Sequence, residues 1–241
     1  MRCLVLSDIH GNLPALQTVL QNAGPVDGVY CLGDTVGYGA DPNACIDALR
    51  ALPHLSVVMG NHDAAASGRI DVGLFNNDAR RAIRWTQREL AAQNLAWLQG
   101  LPLSLRLGDV TLVHGSPRDP LWEYLLDGSA AAENFPLLET PLCFIGHSHV
   151  PLEMAQAQGG DPLPVYLRHG ERLQLQGSAF VNPGSVGQPR DHDPRASSAI
   201  FYPETLVWEQ LRVDYDVAEA QRRIRAAGLP EPLATRLAAG W

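Results

Sequence analysis

Residues Arg2–Asn12 read RCLVLSDIHGN, an apolar run that ends on an aspartate, a histidine and a glycine. A short apolar run bounded by glycine and polar residues predicts a buried strand. Asp8 and His10 then stand just past the strand's carboxyl end, with Gly11 free to turn the backbone beside them. The arrangement recurs. VYCLG (Val29–Gly33) runs into Asp34, and LSVVMG (Leu55–Gly60) into Asn61 and His62. DVTLV (Asp109–Val113) runs into His114, and LCFIG (Leu142–Gly146) into His147 and His149. In open α/β sheets, ligands collect outside the carboxyl ends of the strands. Seven oxygen and nitrogen donors (Asp8, His10, Asp34, Asn61, His114, His147 and His149), with His62 beside them, are thus delivered to one edge of the scaffold. Histidines scattered through a core would not all fall directly after strands.

Between these runs the periodicity is helical. Asn12–Gly24 and Asp41–Leu52 predict helices, the second with Asp41 as N-cap and Pro42 in its first turn. With strands at 2–7, 28–33 and 55–59, the β-α-β-α-β order predicts a parallel sheet. Further helices are expected over Asn77–Leu90, Asn94–Gly100, Asp216–Ala227 and in the tail after Pro230. The first of these carries Arg80, Arg81, Arg84 and Arg88 on a solvated face. After residue 102 the chain is β-rich, with strands expected at 103–107, 109–113, 142–145, 151–156, 164–168, 171–176, 179–182, 198–202 and 205–213. Gly108-Asp109 and Gly170-Glu171 read as hairpin turns. No repeat, low-complexity tract or linker interrupts residues 1–241, so a single α/β domain with two packed sheets is expected. The segments 64–92 and 115–140 are expected to face substrate.

The chain has 241 residues, 46% hydrophobic and 18% charged, which allows a sizeable core and gives no sign of disorder. No apolar run reaches the roughly 18 residues that span a bilayer. No secretion signal precedes the first strand, so a cytoplasmic location is expected. Cys3, Cys31, Cys45 and Cys143 form no CxxC pair and read as small buried hydrophobes in a reducing compartment. All basic residues are arginine, and the formal net charge is −8. A chain so acidic has no global attraction for duplex nucleic acid.

Taken in order, Asp8-x-His10, Gly33-Asp34, Gly60-Asn61-His62-Asp63, His114 and Gly146-His147-x-His149 resemble the calcineurin-like metallophosphoesterase superfamily. Asn182-Pro183-Gly184-Ser185 and Pro189-Arg190 resemble a loop of its small bacterial and archaeal phosphodiesterase branch, and GDTVGYGADPNAC (Gly33–Cys45) a prokaryotic branch. Two departures stand out. There is no tyrosine ligand of the purple acid phosphatase kind, and Tyr38-Gly39 replaces the RG pair of phosphoprotein and diadenosine-tetraphosphate hydrolases. The resemblance implies a four-layer αββα sandwich of two mixed β-sheets with flanking helices, and a dinuclear metal site at the strand ends. It implies that Asp8, His10 and His149 hold one divalent ion, that Asn61, His114 and His147 hold the other, and that Asp34 bridges them. His62 would face substrate as proton donor, and Asp63 would either orient the His62 ring or serve the backbone turn. Two cations roughly 3.5–4 Å apart clamp the attacking and leaving oxygens of an in-line phosphoryl displacement. Carboxylate, amide and imidazole donors without thiolate suit manganese, iron, zinc, cobalt or nickel.

Other residues carry two readings each. Arg190 either grips a phosphate oxygen or closes a loop salt bridge, and Asn12 either contacts phosphate or starts its helix. Tyr38, Trp122 and Tyr124 either stack on an aromatic leaving group or plug loops. His54 and His169 read as surface residues, and His192 as a solvent-loop residue near Arg190. The expected function is metal-dependent hydrolysis of small-molecule or nucleotide-type phosphodiesters. A phosphomonoesterase, a dinucleoside polyphosphate hydrolase and a non-catalytic protein scaffold are the alternatives, and the acidic charge counts against a nuclease. A homo-oligomer stays open.

Overall fold

A computed structural model of the chain describes residues 1–156 and 162–241. The first half runs β1 (Cys3–Leu6), α1 (Leu13–Ala23), β2 (Gly28–Cys31), α2 (Pro42–Arg50), β3 (Leu55–Val57), α3 (Asn61–Ala66), α4 (Asn77–Glu89) and α5 (Ala92–Gln99). The second half runs β4 (Ser104–Leu107), β5 (Val110–Val113), α6 (Gly128–Asn134), β6 (Leu142–Phe144), β7 (Pro151–Ala155), β8 (Val165–Tyr166), β9 (Arg172–Gln174), β10 (Ala179–Pro183), β11 (Ala196–Tyr202), β12 (Val207–Val213), α7 (Val217–Ala226) and α8 (Glu231–Thr235).

The strands form two mixed sheets of six, in the orders β3-β2-β1-β11-β12-β9 and β4-β5-β6-β10-β7-β8. In the first, β1 pairs in parallel with β2 and β2 with β3, so the three chain segments that follow them leave the sheet on the same side. In the second, β6 pairs in parallel with both β5 and β10.

Side-chain alternation builds the layers. Cys3 and Val5 of β1 point into the space between the sheets, where they meet Leu112, Phe144, Val181, Phe201 and Trp208. Leu4 and Leu6 point the other way, onto Leu16 and Val19 of α1 and Ile46 and Leu49 of α2. On the far side, Val113, Cys143 and Phe180 of the second sheet are covered by Ala131 of α6 and by Phe135. Both faces of each sheet are therefore apolar, which is why the strands read as continuous apolar runs. Phe144 reaches across the inter-sheet layer to Phe201 and Trp208, each with ring centroids 4.9 Å apart and rings near perpendicular. That edge-to-face geometry is a favoured one for aromatic pairs.

Three local readings are corrected. Gly170-Glu171 does form a tight turn, with Glu171 N donating to Arg168 O at 3.1 Å. It is not a hairpin, because β8 pairs with β7 in one sheet and β9 with β12 in the other. Turn chemistry reports local backbone shape and cannot say which sheet receives the next strand. Asp41 sits at the N-cap of α2 without capping it, and its carboxylate pairs with Arg223 at 3.1 Å instead. Helices α3 and α6 lie in stretches not predicted to be helical, being only six and seven residues long. Gly108-Asp109 is a two-residue hairpin between β4 and β5, with Gly108 at φ 61°. The four cysteines are free and buried. Among the described residues no helix is long and apolar enough to cross a membrane.

Trp208 is fully buried between the sheets, away from the strand ends that carry the histidines. Trp208→Ala is expected to lower unfolding stability by about 3–5 kcal/mol in urea titration, through lost burial and the cavity left behind.

Candidate metal centre

The segments after β1, β2, β3, β5 and β6 converge, and their backbones are fastened to one another. Asp8 N donates to Gly33 O at 3.0 Å, His10 N to Asp34 O at 2.9 Å and Gly146 N to His114 O at 2.8 Å. Six residues here take up left-handed backbone conformations: Asp8, His10, Asp34, Tyr38, His147 and His149, with φ between 50° and 63°. Such conformations are uncommon for residues with a side chain, cost on the order of 1–3 kcal/mol each and gather at functional sites. Here they swing each side chain off the strand axis into a common centre. Gly60 allows a close approach, since a Cβ there would overlap the Asp34 carboxylate.

The two carboxylates are divided in the same manner. Asp8 Oδ2 accepts from Ser7 Oγ at 2.5 Å and from His147 N at 3.1 Å, while Oδ1 is buried with no hydrogen-bond partner. That free oxygen lies 3.2 Å from His149 Nε2 and 3.7 Å from His10 Nε2. Asp34 Oδ1 accepts from His62 N at 2.8 Å. Its Oδ2 faces His10 Nε2 at 3.6 Å and His114 Nε2 at 3.5 Å, one imidazole from each side.

Four imidazoles are oriented by main-chain carbonyls. His10 Nδ1 lies 3.2 Å from Val36 O, His114 Nδ1 2.7 Å from Leu32 O, and His149 Nδ1 2.6 Å from Gln188 O. His147 Nε2 lies 3.2 Å from Trp122 O. Each carbonyl requires an N–H, so in the neutral ring the other nitrogen is left with a lone pair. Those lone pairs face each other, His10 Nε2 to His149 Nε2 and His114 Nε2 to His147 Nδ1, both at 3.2 Å. Lone pairs set against lone pairs and carboxylates repel unless a proton or a metal cation stands among them, and an outer N–H to a carbonyl is the usual way a ligating histidine is held. Asp8, His10 and His149 form one group with donor atoms mutually within 4.8 Å, and Asp34, His114 and His147 another. Asn61 Oδ1 is buried without a partner. Donor chemistry and orphaned oxygens thus fit divalent metal.

The titration properties follow from the same geometry. Burial alone would raise the Asp8 and Asp34 carboxyls, but the imidazoles of His149 and His114 outweigh it, and both acids stay ionised. Burial pushes His147 down to about 3 and lowers His10 and His149, keeping them neutral, the form that offers a lone pair. Burial opposes the charge on His114 as well, yet the Asp34 carboxylate prevails and raises it to about 9. A proton on His114 and a cation at that spot answer the same carboxylate.

His62 lies beside this centre, packed against Tyr38, Phe75 and His10 at ring-centroid distances of 4.3, 4.9 and 4.9 Å. Its Nδ1 has no partner, and burial lowers its pKa to about 4. Asp63 does not orient that ring. Its oxygens accept from Val36 N at 3.1 Å and Gly60 N at 3.2 Å, which fastens the start of α3 to the Asp34 loop. Burial, with Asp34 nearby, raises Asp63 to about 7.

A cavity of about 150 Å³ opens over the centre, lined by Asp34, Asn61, His62, His147 and His149. Arg190 and Tyr38 also line it, Arg190 donating to Gln188 Oε1 at 3.0 Å rather than closing a loop salt bridge. The 64–92 segment contributes Leu74, Phe75 and Asn76, and the 115–140 segment Trp122 and Tyr124. Tyr124 stacks on His147 with centroids 4.1 Å apart, and Phe75 meets Trp122 at 5.0 Å. Asn12 is withdrawn from substrate. It caps α1 by accepting from Ala15 N at 3.2 Å and donates to Gly187 O at 2.9 Å. His54, His169 and His192 are exposed and line no part of this cavity. Asn182 ties down the His147 loop through Gly146 O at 2.7 Å, and Ser185 donates to Asp8 O at 2.8 Å. Phe75 and Gln188 escaped sequence reasoning, and an aromatic or a glutamine in a loop carries no spacing signal that could have found them.

Residues 1–205 match the family model of the calcineurin-like phosphoesterase superfamily domain. An uncharacterized protein of Methanocaldococcus jannaschii is 39% identical, over 98% of this chain and 97% of its own length. The crystal structure of a metallophosphoesterase from Sphaerobacter thermophilus is similar with a TM-score of 0.92 and 47% identity, covering 100% of this chain and 99% of that one. A hypothetical protein from Pyrococcus horikoshii shares the fold at a TM-score of 0.82 and 22% identity, over 100% of this chain and 98% of its own. With the family's motifs converging in space and its model matching most of the sequence, the chain belongs to the calcineurin-like phosphoesterase superfamily.

Proposed function

We propose that this chain hydrolyses small phosphoesters, phosphodiesters foremost, at a site for two divalent cations. Asp8, His10 and His149 would hold one, and Asn61, His114 and His147 the other, with Asp34 shared by both sets. The observation that carries this reading is the set of four imidazoles, each tied at one nitrogen to a carbonyl with its other nitrogen turned inward. Among the described residues, only histidines lie at ion-pair distance from Asp8 and Asp34. When bound, such cations acidify a water and neutralise charge growing on the phosphoryl oxygens. Manganese, iron, zinc, cobalt and nickel suit the donor set.

The chain's own residues do the rest. Asn61 and Arg190 flank the cavity and orient the phosphoryl group, Arg190 with a planar fork suited to two oxygens. Tyr38, Phe75 and Trp122 exclude water and pack an apolar substituent. His62 is neutral when the cavity holds no anion, and a phosphoester beside it favours the protonated ring. It can then deliver that proton to the leaving oxygen. We read residues 1–241 as one domain, and the four buried free cysteines support a reducing, cytoplasmic setting.

Stripping metal with a chelator is expected to abolish phosphoester hydrolysis and lower the melting temperature, both restored by manganese. Activity that survives complete stripping contradicts the reading. His62→Ala is expected to lower kcat on bis(p-nitrophenyl) phosphate by about 10²–10⁴-fold with metal content unchanged. The wild-type chain is expected to cleave that diester faster than p-nitrophenyl phosphate, and a reversed order would make it a monoesterase.

A further inference from the structure

No helix or strand forms between the end of β5 at Val113 and the start of α6 at Gly128. Two residues of this stretch nevertheless fix His147. Trp122 O lies 3.2 Å from its Nε2, and the Tyr124 ring stacks on it with centroids 4.1 Å apart and planes 14° apart. Tyr124 is 46% exposed, so its surroundings do not hold the ring there by packing alone.

Glu123 stands between the two and lines no part of the cavity over the metal centre. Its Oε2 accepts from Ser116 Oγ at 2.5 Å, from Asn134 Nδ2 at 2.8 Å and from Arg118 Nε at 3.3 Å, and its Oε1 accepts from Arg118 Nη2. Ser116 and Asn134 are fully buried, and buried hydrogen bonds to a carboxylate are strong ones. The same hydroxyl reaches Trp122 by a second route. Ser116 Oγ accepts from Asp119 N at 2.9 Å, and Asp119 Oδ1 accepts from Trp122 N at 3.2 Å. The stretch thus folds back on its own start, where a Cβ at Gly115 would lie 2.6 Å from Asp119 O. Leu125, buried with Ala131 and Phe135, pins its exit. The Arg118 partner is more open. Its side chain is 44% exposed and shared with Glu133, and ion pairs so placed contribute little.

We propose that Glu123 is a positioning residue of the site. Through its buried hydrogen bonds to Ser116 and Asn134 it holds Trp122 and Tyr124 against His147, and so sets the pose in which His147 Nδ1 faces His114 Nε2. The hydrogen bonds rather than the charge are the operative part. The value of that pose for holding a cation rests on the phosphoesterase reading above, whereas the pose itself does not.

The test is the chemical shift of the His147 ring protons, read by proton–carbon NMR in zinc-dialysed wild type, Glu123→Ala, Glu123→Gln, Ser116→Ala and Tyr124→Leu. Zinc is diamagnetic, so the protons are readable whether or not the ion is bound. A stacked tyrosine displaces the protons facing it upfield, and Tyr124→Leu supplies the undisplaced reference. Glu123→Ala is expected to lose about half of the displacement or more. Ser116→Ala, which keeps the carboxylate, is expected to lose part of it and serves if Glu123→Ala does not fold. Glu123→Gln should keep the displacement, because an amide oxygen accepts the same two hydrogen bonds. The ring protons of His10 and His149 should stay at their wild-type positions in the Glu123 and Ser116 variants. Zinc affinity at one of the two sites should fall about tenfold or more in Glu123→Ala, the usual cost of losing a group that orients a ligand. A wild-type displacement in both Glu123→Ala and Ser116→Ala, an equal loss in Glu123→Gln, His10 and His149 protons that move as far as those of His147, or an unchanged zinc affinity in Glu123→Ala each overturn the proposal. A wild-type chain that takes up no zinc refutes the paired-cation reading, and the ring shifts then decide the role of Glu123 by themselves.

Discussion

The buried charge of Asp8 and Asp34 is the constraint to which the rest of the structure answers. Neither carboxylate reaches solvent, with exposures of 0% and 1%. Taking an ion out of water costs on the order of several kcal/mol unless a counter-charge and hydrogen bonds offset it. Each aspartate has one oxygen bonded to protein donors and one turned toward imidazole nitrogens. A group satisfied on one side only is an unfinished arrangement for a folded core, and a finished one for a cation site. The left-handed turns at Asp8, His10, Asp34, His147 and His149 carry the same meaning, because conformational strain this concentrated persists only where the surrounding hydrogen bonds over-determine it.

Around that centre the protein commits main chain rather than side chains. Val36, Leu32, Trp122 and Gln188 each lend a carbonyl to one histidine. The identity of those four side chains is thereby freed, and two of them belong to the loops that shape the cavity. Trp122 both orients His147 through its carbonyl and contacts Phe75 through its ring. The orientation of His147 and the shape of the cavity are thus coupled at one residue. Asp63 has a comparable role farther from the centre, joining the α3 start to the Asp34 loop through two backbone amides.

What could be seen in the sequence was the portion dictated by short-range rules. Continuous apolar runs mark strands covered on both faces, and a polar residue directly after such a run must emerge at the sheet's edge. That logic located Asp8, His10, Asp34, Asn61, His114, His147 and His149, and the two-sheet sandwich with them. It also identified the Asn12 and Asp41 positions as helix starts. What it could not supply was the use of a side chain that has several. Asn12 spends its amide on Ala15 and Gly187, Asp41 turns to Arg223 across 182 positions of sequence, and Asp63 serves amides rather than an imidazole. Phe75 and Gln188 enter the site through tertiary contact alone. The Gly170 turn was legible as a turn, while the choice of sheet on its far side depends on pairing partners tens of residues away.

The most direct test of the proposed paired-cation site is equilibrium dialysis against manganese, with metal quantified by mass spectrometry in wild type, Asp8→Ala and His114→Ala. About two equivalents are expected per wild-type chain and about one in each variant, since Asp8 and His114 each belong to only one of the donor groups. A wild-type chain that retains no manganese, or variants that bind as much as wild type, would contradict it.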